Sequence, residues 1–195
     1  THVTPMPHAT MEAYPALDYV IRGEPELTLR ELVDTLEGNG GNPSRGNGSS
    51  EALWPDVAPA FAARLHRLYT KADPTWRPAW DAGSASAANL GQKLAAIKGL
   101  VWRRGKQIVL NQDRPYIQDL DDLPLPRHDL LPLDQYRAPL VRGRYAFVVT
   151  SRGCPAGCRF CIKHVSYGNS VRYRSPDDVL AEIEQLVGLG VRSIH

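Results

Sequence analysis

The sequence predicts an α/β protein, in which the C-terminal part of a Rossmann-like domain precedes the first β/α unit of a partial β/α barrel. Two observations carry this prediction. The strand-like segment ALDYVIRG runs into the helix-like segment EPELTLRELVDTLEG. Further along, RYAFVVTS leads through a cysteine-containing loop into SPDDVLAEIEQLVGLG and then VRSIH. Strands that alternate with helices are typical of parallel sheets and barrels.

Composition sets the class of protein. The chain has 195 residues, 43% of them hydrophobic and 23% charged, and a net charge of +2. These values suit a packed core of ordinary size, and they offer no basic surface for nucleic acid. No apolar run approaches the roughly 18–20 residues of a membrane span. We therefore expect no nucleic-acid partner and no membrane span.

The first region, residues 1–37, is predicted to be the end of the Rossmann-like domain. Tyr19, Val20 and Ile21 form a short β-branched and aromatic core that ends at Gly23 and indicates a buried strand. The helix that follows has four apolar residues at helical spacing, which predicts that they face the core together. These residues are Leu29, Leu32, Val33 and Leu36.

Residues 38–98 are predicted to be a linker and a helical insertion, and residues 99–143 a hairpin and an extended connector. The linker GNGGNPSRGNGSS lacks apolar residues, and DVAPAFAARLHRLYTKA has one apolar helical face. In the connector, IKGLVWRRGKQIVLNQ predicts two strands joined by a turn at Gly105. The prolines that follow predict an extended segment, with a solvated acidic cluster at Asp119, Asp121 and Asp122.

The last region, residues 144–195, starts with the strand RYAFVVTS. Its helix has Ser175 as the predicted N-cap, Pro176 in the first turn and Asp178 as the partner in a capping box. Gly188 or Gly190 is predicted to end this helix. Active sites of β/α barrels form at the carboxyl ends of the strands, which is where the cysteine loop lies in the sequence.

Cys154, Cys158 and Cys161 are the only cysteines, and they lie in one loop with Cys-x3-Cys-x2-Cys spacing. Thiols clustered in this way favour a reduced, cytoplasmic setting over a disulfide framework. A zinc site would need His164 as a fourth ligand in an unusually compact arrangement. An iron–sulfur cluster fits three thiolates better, and a cube of four irons would leave one iron open to a small molecule.

The segment CPAGCRFC resembles the signature of radical S-adenosylmethionine (SAM) enzymes, in which the residue before the last cysteine is usually aromatic, as Phe160 is here. The resemblance implies a 4Fe-4S cluster on the three cysteines and SAM at the open iron, cleaved reductively to a 5′-deoxyadenosyl radical. It also implies that Phe160 lies near the adenine. Arg172 and Arg174 alternate along an extended segment and are candidates to bind the SAM carboxylate or a substrate propionate.

The upstream sequence LDYVIRGEPELTLRELV resembles the end of a cobalamin-binding domain, so cobalamin is expected as a cofactor, with Gly23 and Glu24 as weak candidates for its contacts. Related proteins often read GEGE where this chain reads GEPE. The Rossmann-like domain is thus expected to bind cobalamin, and the barrel to be of the partial TIM type found in radical SAM enzymes.

Within that class, the chain resembles the BchE-like group of anaerobic cyclases. This resemblance implies oxidative cyclisation of a magnesium-porphyrin ester in bacteriochlorophyll synthesis, with an electron donor such as flavodoxin or ferredoxin. A cobalamin-dependent radical SAM methyltransferase is the enzymatic alternative, and an iron–sulfur or zinc binding module is the alternative without catalysis. We expect the chain to be a fragment that is inactive alone.

Overall fold

The computed structural model describes residues 4–36, 90–139 and 141–195. The predictions for the linker and for the helix around Phe61 therefore lie outside the described residues. The chain divides into two compact units. Unit 1 contains the described residues up to Gln118 together with Gly153–Ser170, and unit 2 contains Asp119–Arg152 with Val171–His195. Each unit is described by itself.

Unit 1 consists of helices around a small sheet, followed by the cysteine loop. Its elements in chain order are α1 (Pro7–Ala13), β1 (Tyr19–Ile21), α2 (Pro25–Leu36), α3 (Leu90–Ala96), β2 (Leu100–Arg104), β3 (Gln107–Leu110) and, within the cysteine loop, α4 (Lys163–Tyr167). The predicted strand, helix and hairpin are confirmed, and Gly105 has the positive φ of +60° that its turn requires.

The three strands of unit 1 form an antiparallel sheet in the order β1-β2-β3. The predicted hairpin therefore joins β1, with Val20 opposite Val101, and β1 has no parallel neighbour among the described strands. Successive residues of β2 point to opposite faces and pack into different clusters. One cluster contains Leu32, Leu94, Ile97, Leu100 and Trp102. The other contains Met11, Val20 and Val101.

Helix α2 begins and ends as the sequence predicts, but the prediction of its buried face is wrong. Only Leu32 of the four apolar residues is buried, while Leu29 is 50% exposed. The buried face instead carries Thr28 and Glu31. The reason is a polar partner: Arg114 donates to Thr28 Oγ1 at 2.8 Å and forms an ion pair with Glu31.

Unit 2 packs one long helix against short strands and a series of 3₁₀ turns. The turns are Leu120–Asp122, His128–Leu130 and Leu133–Gln135, and the regular elements are β4 (Tyr145–Ala146), β5 (Ser151–Arg152), β6 (Arg172–Tyr173), α5 (Pro176–Gly188) and β7 (Ser193–Ile194). Strands β4 and β7 pair in parallel, as expected of a β/α unit. Strands β5 and β6 pair antiparallel on either side of the cysteine loop.

The core of unit 2 contains Leu133, Ala146, Leu186 and Val191. Residues 144–151 do not form one continuous strand as predicted. Instead β4 is followed by an extended stretch in which Val148 N–H donates to His195 at 3.0 Å and Thr150 C=O accepts from Arg174 N–H at 2.9 Å. The chain therefore changes its hydrogen-bonding partner between β4 and β5.

The N-terminus of α5 confirms half of the predicted capping box. Ser175 Oγ accepts from the Asp178 N–H at 3.2 Å, as an N-cap does. Arg174 takes the Asp178 carboxylate at 2.7 Å, and the Ser175 N–H donates instead to Asp121 at 2.8 Å. The predicted solvated acidic cluster is thus wrong in part, because Asp121 caps the helix and Asp122 is buried.

Candidate metal centre

The cysteine loop runs from Gly153 to Ser170 in unit 1. Its three cysteines are free thiols; Cys158 is exposed, and Cys154 and Cys161 are half-buried. The Cys161 N–H donates to the Cys158 C=O at 3.1 Å, so these two residues bracket a tight turn. Free and accessible thiols can bind soft metals and iron–sulfur clusters as thiolates.

The base of the loop is closed by backbone contacts that require glycine. The Cys154 N–H donates to the Gly168 C=O at 3.4 Å. Gly153 has a φ of +93°, and a Cβ there would lie 1.9 Å from the Ser170 carbonyl oxygen. Any side chain at residue 153 would force the two ends of the loop apart. The sequence indicated glycines that let the backbone curl, and the structure identifies Gly153 as the critical one.

Helix α4 follows the last cysteine directly. Its Ser166 side chain is 2% exposed, and the hydroxyl has no hydrogen-bond partner among the described residues. Lys163, which together with His164 was a candidate to tune a cluster, is exposed on the same helix. The His164 side chain is outside the described residues.

The donor set fits an iron–sulfur cluster better than a single ion. Within residues 4–36, 90–139 and 141–195, no three His, Cys, Asp or Glu side chains converge closely enough to hold one metal ion. A tetrahedral zinc would bring its thiolates to within about 4 Å of one another. A cube of irons and sulfides bridges more widely separated thiolates, and its sulfides accept hydrogen bonds from donors such as a buried hydroxyl.

Phe160 projects from the tip of the loop, between Cys158 and Cys161. Its side chain is 90% exposed and has no core role. A fully exposed aromatic ring is available to pack on a planar ligand. Its predicted place near an adenine remains a prediction.

Arg172 and Arg174 belong to unit 2, where β6 follows the loop. Arg172 is buried and Arg174 is nearly so. The Arg174 guanidinium contacts Asp178 Oδ2 at 2.7 Å, Glu182 and the Val149 C=O at 3.0 Å. Burial lowers the pKa of Arg174, but its hydrogen bonds to Glu182 and Asp178 outweigh burial and raise that pKa above its usual value. The guanidinium is therefore committed to the protein itself.

Two residues that sequence reasoning did not single out complete this network. Glu182 is 1% exposed, and its Oε1 lies 2.8 Å from Nε2 of the buried His128. Glu182 lies on the buried face of α5, four residues after Asp178 and four before Leu186. A carboxylate at a position where the helical period calls for an apolar side chain was the signal available in the sequence.

Gly23 and Glu24, the candidates for a cobalamin contact, lie in the turn between β1 and α2. The Gly23 N–H donates to Thr4 Oγ1 at 3.2 Å, and Gly23 has a φ of +72°. Glu24 is buried, and its Oε2 accepts the Ile117 N–H at 2.7 Å. The Glu24 carboxylate thus faces the connector, while a Cβ at Gly23 would meet no atom within 4 Å.

Sequence comparison finds relatives over nearly the whole chain. An uncharacterized methyltransferase of Pyrococcus horikoshii is 30% identical over 185 residues, which are 95% of this chain and 28% of that protein. An uncharacterized methyltransferase of Synechocystis is 39% identical over 85 residues, 44% of this chain and 14% of that protein. The chain spans little more than a quarter of the first of these relatives. No protein-family profile matches the chain.

A further relative is named a tRNA-2-methylthio-N(6)-dimethylallyladenosine synthase, from Shewanella denitrificans. It is 34% identical over 93 residues, which are 48% of this chain and 17% of that protein. A solved structure of the radical SAM methyltransferase TsrM from Kitasatospora setae superposes with a TM-score of 0.50 at 16% identity, over 99% of this chain and 28% of that one. The chain has the fold of a radical SAM methyltransferase. The α/β fold class predicted from the sequence is thereby confirmed.

The relatives also bear on the resemblance stated at the outset. They support similarity to methyltransferases and methylthiotransferases, and none of those reported above is named a cyclase. In the part of the chain that the structure describes, no helix is long and apolar enough to cross a membrane.

Proposed function

We propose that this chain is part of a radical SAM enzyme that transfers a methyl or methylthio group, with a 4Fe-4S cluster on Cys154, Cys158 and Cys161. The observation that carries the proposal is the cysteine loop: three free, accessible thiols at Cys-x3-Cys-x2-Cys spacing, on a loop whose base is closed through Gly153. The fold shared with a radical SAM methyltransferase supports it independently.

When bound, such a cluster supplies the electron that cleaves SAM. The chain's own residues have three tasks. The cysteine thiolates hold the cluster, and their count of three leaves one iron for SAM. The closed base of the loop keeps the thiolates in register, and the exposed Phe160 ring is placed to pack on a planar part of SAM.

Methyl transfer now takes precedence over oxidative cyclisation, which the sequence alone had favoured. Two of the relatives reported above are named methyltransferases, and the structural relative is a methyltransferase crystallised with tryptophan and a SAM analogue. Nothing in the comparisons points to a magnesium-porphyrin substrate. The substrate of this protein is therefore proposed only as a small molecule or group with an acceptor position for a methyl or methylthio group.

Cobalamin is retained as a proposed methyl carrier, on the resemblance of residues 1–37 to the end of a cobalamin-binding domain. The structure narrows how Gly23 and Glu24 would take part. Gly23 has open space around its Cα, so its backbone is accessible to a large ligand, whereas the Glu24 carboxylate is directed to Ile117. A flavodoxin or ferredoxin remains the proposed electron donor, and a cytoplasmic location the proposed setting.

Anaerobic iron–sulfur reconstitution of the complete protein tests the proposal. We expect electron paramagnetic resonance (EPR) of the dithionite-reduced protein to show a 4Fe-4S signal that shifts when SAM is added. Cys154→Ala, Cys158→Ala and Cys161→Ala should each lose it, while Asn169→Ala, an exposed change in the same loop, should keep it. Zinc in place of iron, or a signal that survives all three cysteine changes, would overturn the proposal.

Product analysis then separates the two reactions. SAM labelled in its methyl group should pass label to an acceptor if the protein is a methyltransferase. A cyclase would consume SAM and release 5′-deoxyadenosine without passing on that label.

A further inference from the structure

The connector between the sheet of unit 1 and unit 2 is fastened to α2 at two places. Arg114 forms a buried ion pair with Glu31 and hydrogen-bonds Thr28. Three residues later, the Ile117 N–H donates to Glu24 Oε2 at 2.7 Å, in a bond that is buried on both sides. A hydrogen bond to a buried carboxylate is among the stronger ones, so the backbone from 114 to 117 is held firmly.

Tyr116 lies between these two attachments and contacts the cysteine loop. A Cβ placed on Gly168 would lie 2.9 Å from Cε2 of the Tyr116 ring, so the ring packs directly on the Gly168 backbone. The Tyr116 hydroxyl also lies 3.4 Å from the Val165 C=O in α4, a long and weak hydrogen bond. The ring contact is therefore the main one.

Gly168 is also the residue that closes the loop. Its carbonyl oxygen accepts the N–H of Cys154, the first of the three cysteines. Gly168 has a φ of +77° and no side chain of its own, so the ring of Tyr116 occupies the space that a side chain would take. The backbone that fixes Cys154 thus rests on an aromatic ring whose own backbone neighbour is fixed by Glu24.

We propose that Tyr116 and Glu24 are positioning residues for the three cysteines. Tyr116 supports the loop, and Glu24 holds Tyr116 in place through the Ile117 N–H. This inference rests on the proposed function, because it gives the loop its task of holding a cluster. It also reassigns Glu24, which the sequence suggested as a cobalamin contact, to the support of the iron–sulfur site.

The rate at which a chelator removes iron from the reconstituted complete protein tests the inference without any turnover. Release of iron requires the loop to open, and local opening becomes faster when packing is removed. We expect Tyr116→Ala and Glu24→Ala each to lose iron about threefold to tenfold faster than the parent, with an altered EPR line shape. Tyr116→Phe keeps the ring and should behave like the parent.

Two matched controls separate support of the loop from general destabilisation. Tyr14→Ala removes a tyrosine ring that is mostly exposed in the same unit, and Asp34→Ala removes another buried carboxylate of α2, paired with Arg30. Both controls should lose iron at the parent rate. If circular dichroism shows Tyr116→Ala to be unfolded, Tyr116→Leu decides, with the same expectation of faster loss.

The outcomes distinguish this inference from the proposed function. Parent-like iron loss in the Tyr116 and Glu24 variants, together with cysteine variants that lack the cluster, would overturn the inference and leave the proposed function standing. Equally fast loss in the Tyr14 and Asp34 controls would also overturn it. A parent protein that assembles no cluster would overturn both.

Discussion

His128 Nε2 lies 2.8 Å from Glu182 Oε1, and both side chains are buried in unit 2. The two residues are 54 positions apart in the sequence, and their contact holds the connector turn His128–Leu130 against α5. Glu182 also pairs with Arg174, so one buried carboxylate joins the connector, β6 and the helix.

Glu182→Gln should destabilise the protein by about 2–4 kcal/mol. The change leaves the buried Arg174 without one of its two carboxylates, and an uncompensated buried charge is costly. Urea denaturation measures the free energy of unfolding. Glu184→Gln, on the exposed side of the same helix, should change it by less than about 0.5 kcal/mol. Equal effects of the two changes would show that the network does not stabilise the fold.

Gly153→Ala should destabilise the closed loop by at least about 2 kcal/mol, and abolish cluster assembly. The alanine Cβ would lie 1.9 Å from the Ser170 carbonyl oxygen, and the φ of +93° is unfavourable for any L-residue. Gly157→Ala in the same loop is the matched control, because its Cβ meets nothing within 4 Å. Thermal unfolding and iron content measure the two effects. A Gly153→Ala protein with full iron content would contradict the described loop closure.

Ser175→Ala should lower the free energy of unfolding by about 1 kcal/mol, the usual cost of losing an N-cap. The loss is confined to the bond from Asp178 N–H, because Asp121 still accepts the Ser175 N–H. Ser175→Thr keeps an acceptor and should be close to neutral. Urea denaturation of the three proteins is the measurement, and an undiminished stability of the alanine variant would show that the cap is dispensable.

Asp134 and Arg144 form an exposed bidentate ion pair with N–O distances of 2.6 and 2.7 Å. The hydrogen bonds from Arg144 hold the pKa of Asp134 below its usual value. A carboxyl whose pKa is lower in the folded state stabilises the fold above its unfolded pKa, and that stabilisation is lost as the pH falls through the folded pKa. Asp134→Asn should therefore reduce stability at neutral pH, with a difference that vanishes below about pH 3.

The salt dependence of the same variant supplies the control. Exposed ion pairs are weak and screened, so the difference between parent and Asp134→Asn should shrink in about 1 M salt. A difference that persists at low pH or in high salt would point to a cause other than this ion pair. Urea denaturation at pH 7 and pH 3, in low and high salt, makes the comparison.

The sequence by itself determined the features that depend on neighbours along the chain. The strand Tyr19–Ile21, the hairpin turn at Gly105, the Ser175 cap and the convergence of three thiols in one loop all follow from residue types at short spacing. Local conformational preference and capping act within a few residues, so a sequence alone can reveal them.

The tertiary structure decided which partner each buried polar group found. Helix α2 buries Thr28 and Glu31 because Arg114, more than 80 residues away, reaches them. Glu24 faces Ile117, Glu182 faces His128, and Tyr116 packs on Gly168, none of which the periodicity of a helix or the spacing of a loop encodes. A buried polar group is stable only when it is paired, and where its partner lies is known only after distant segments have been brought together.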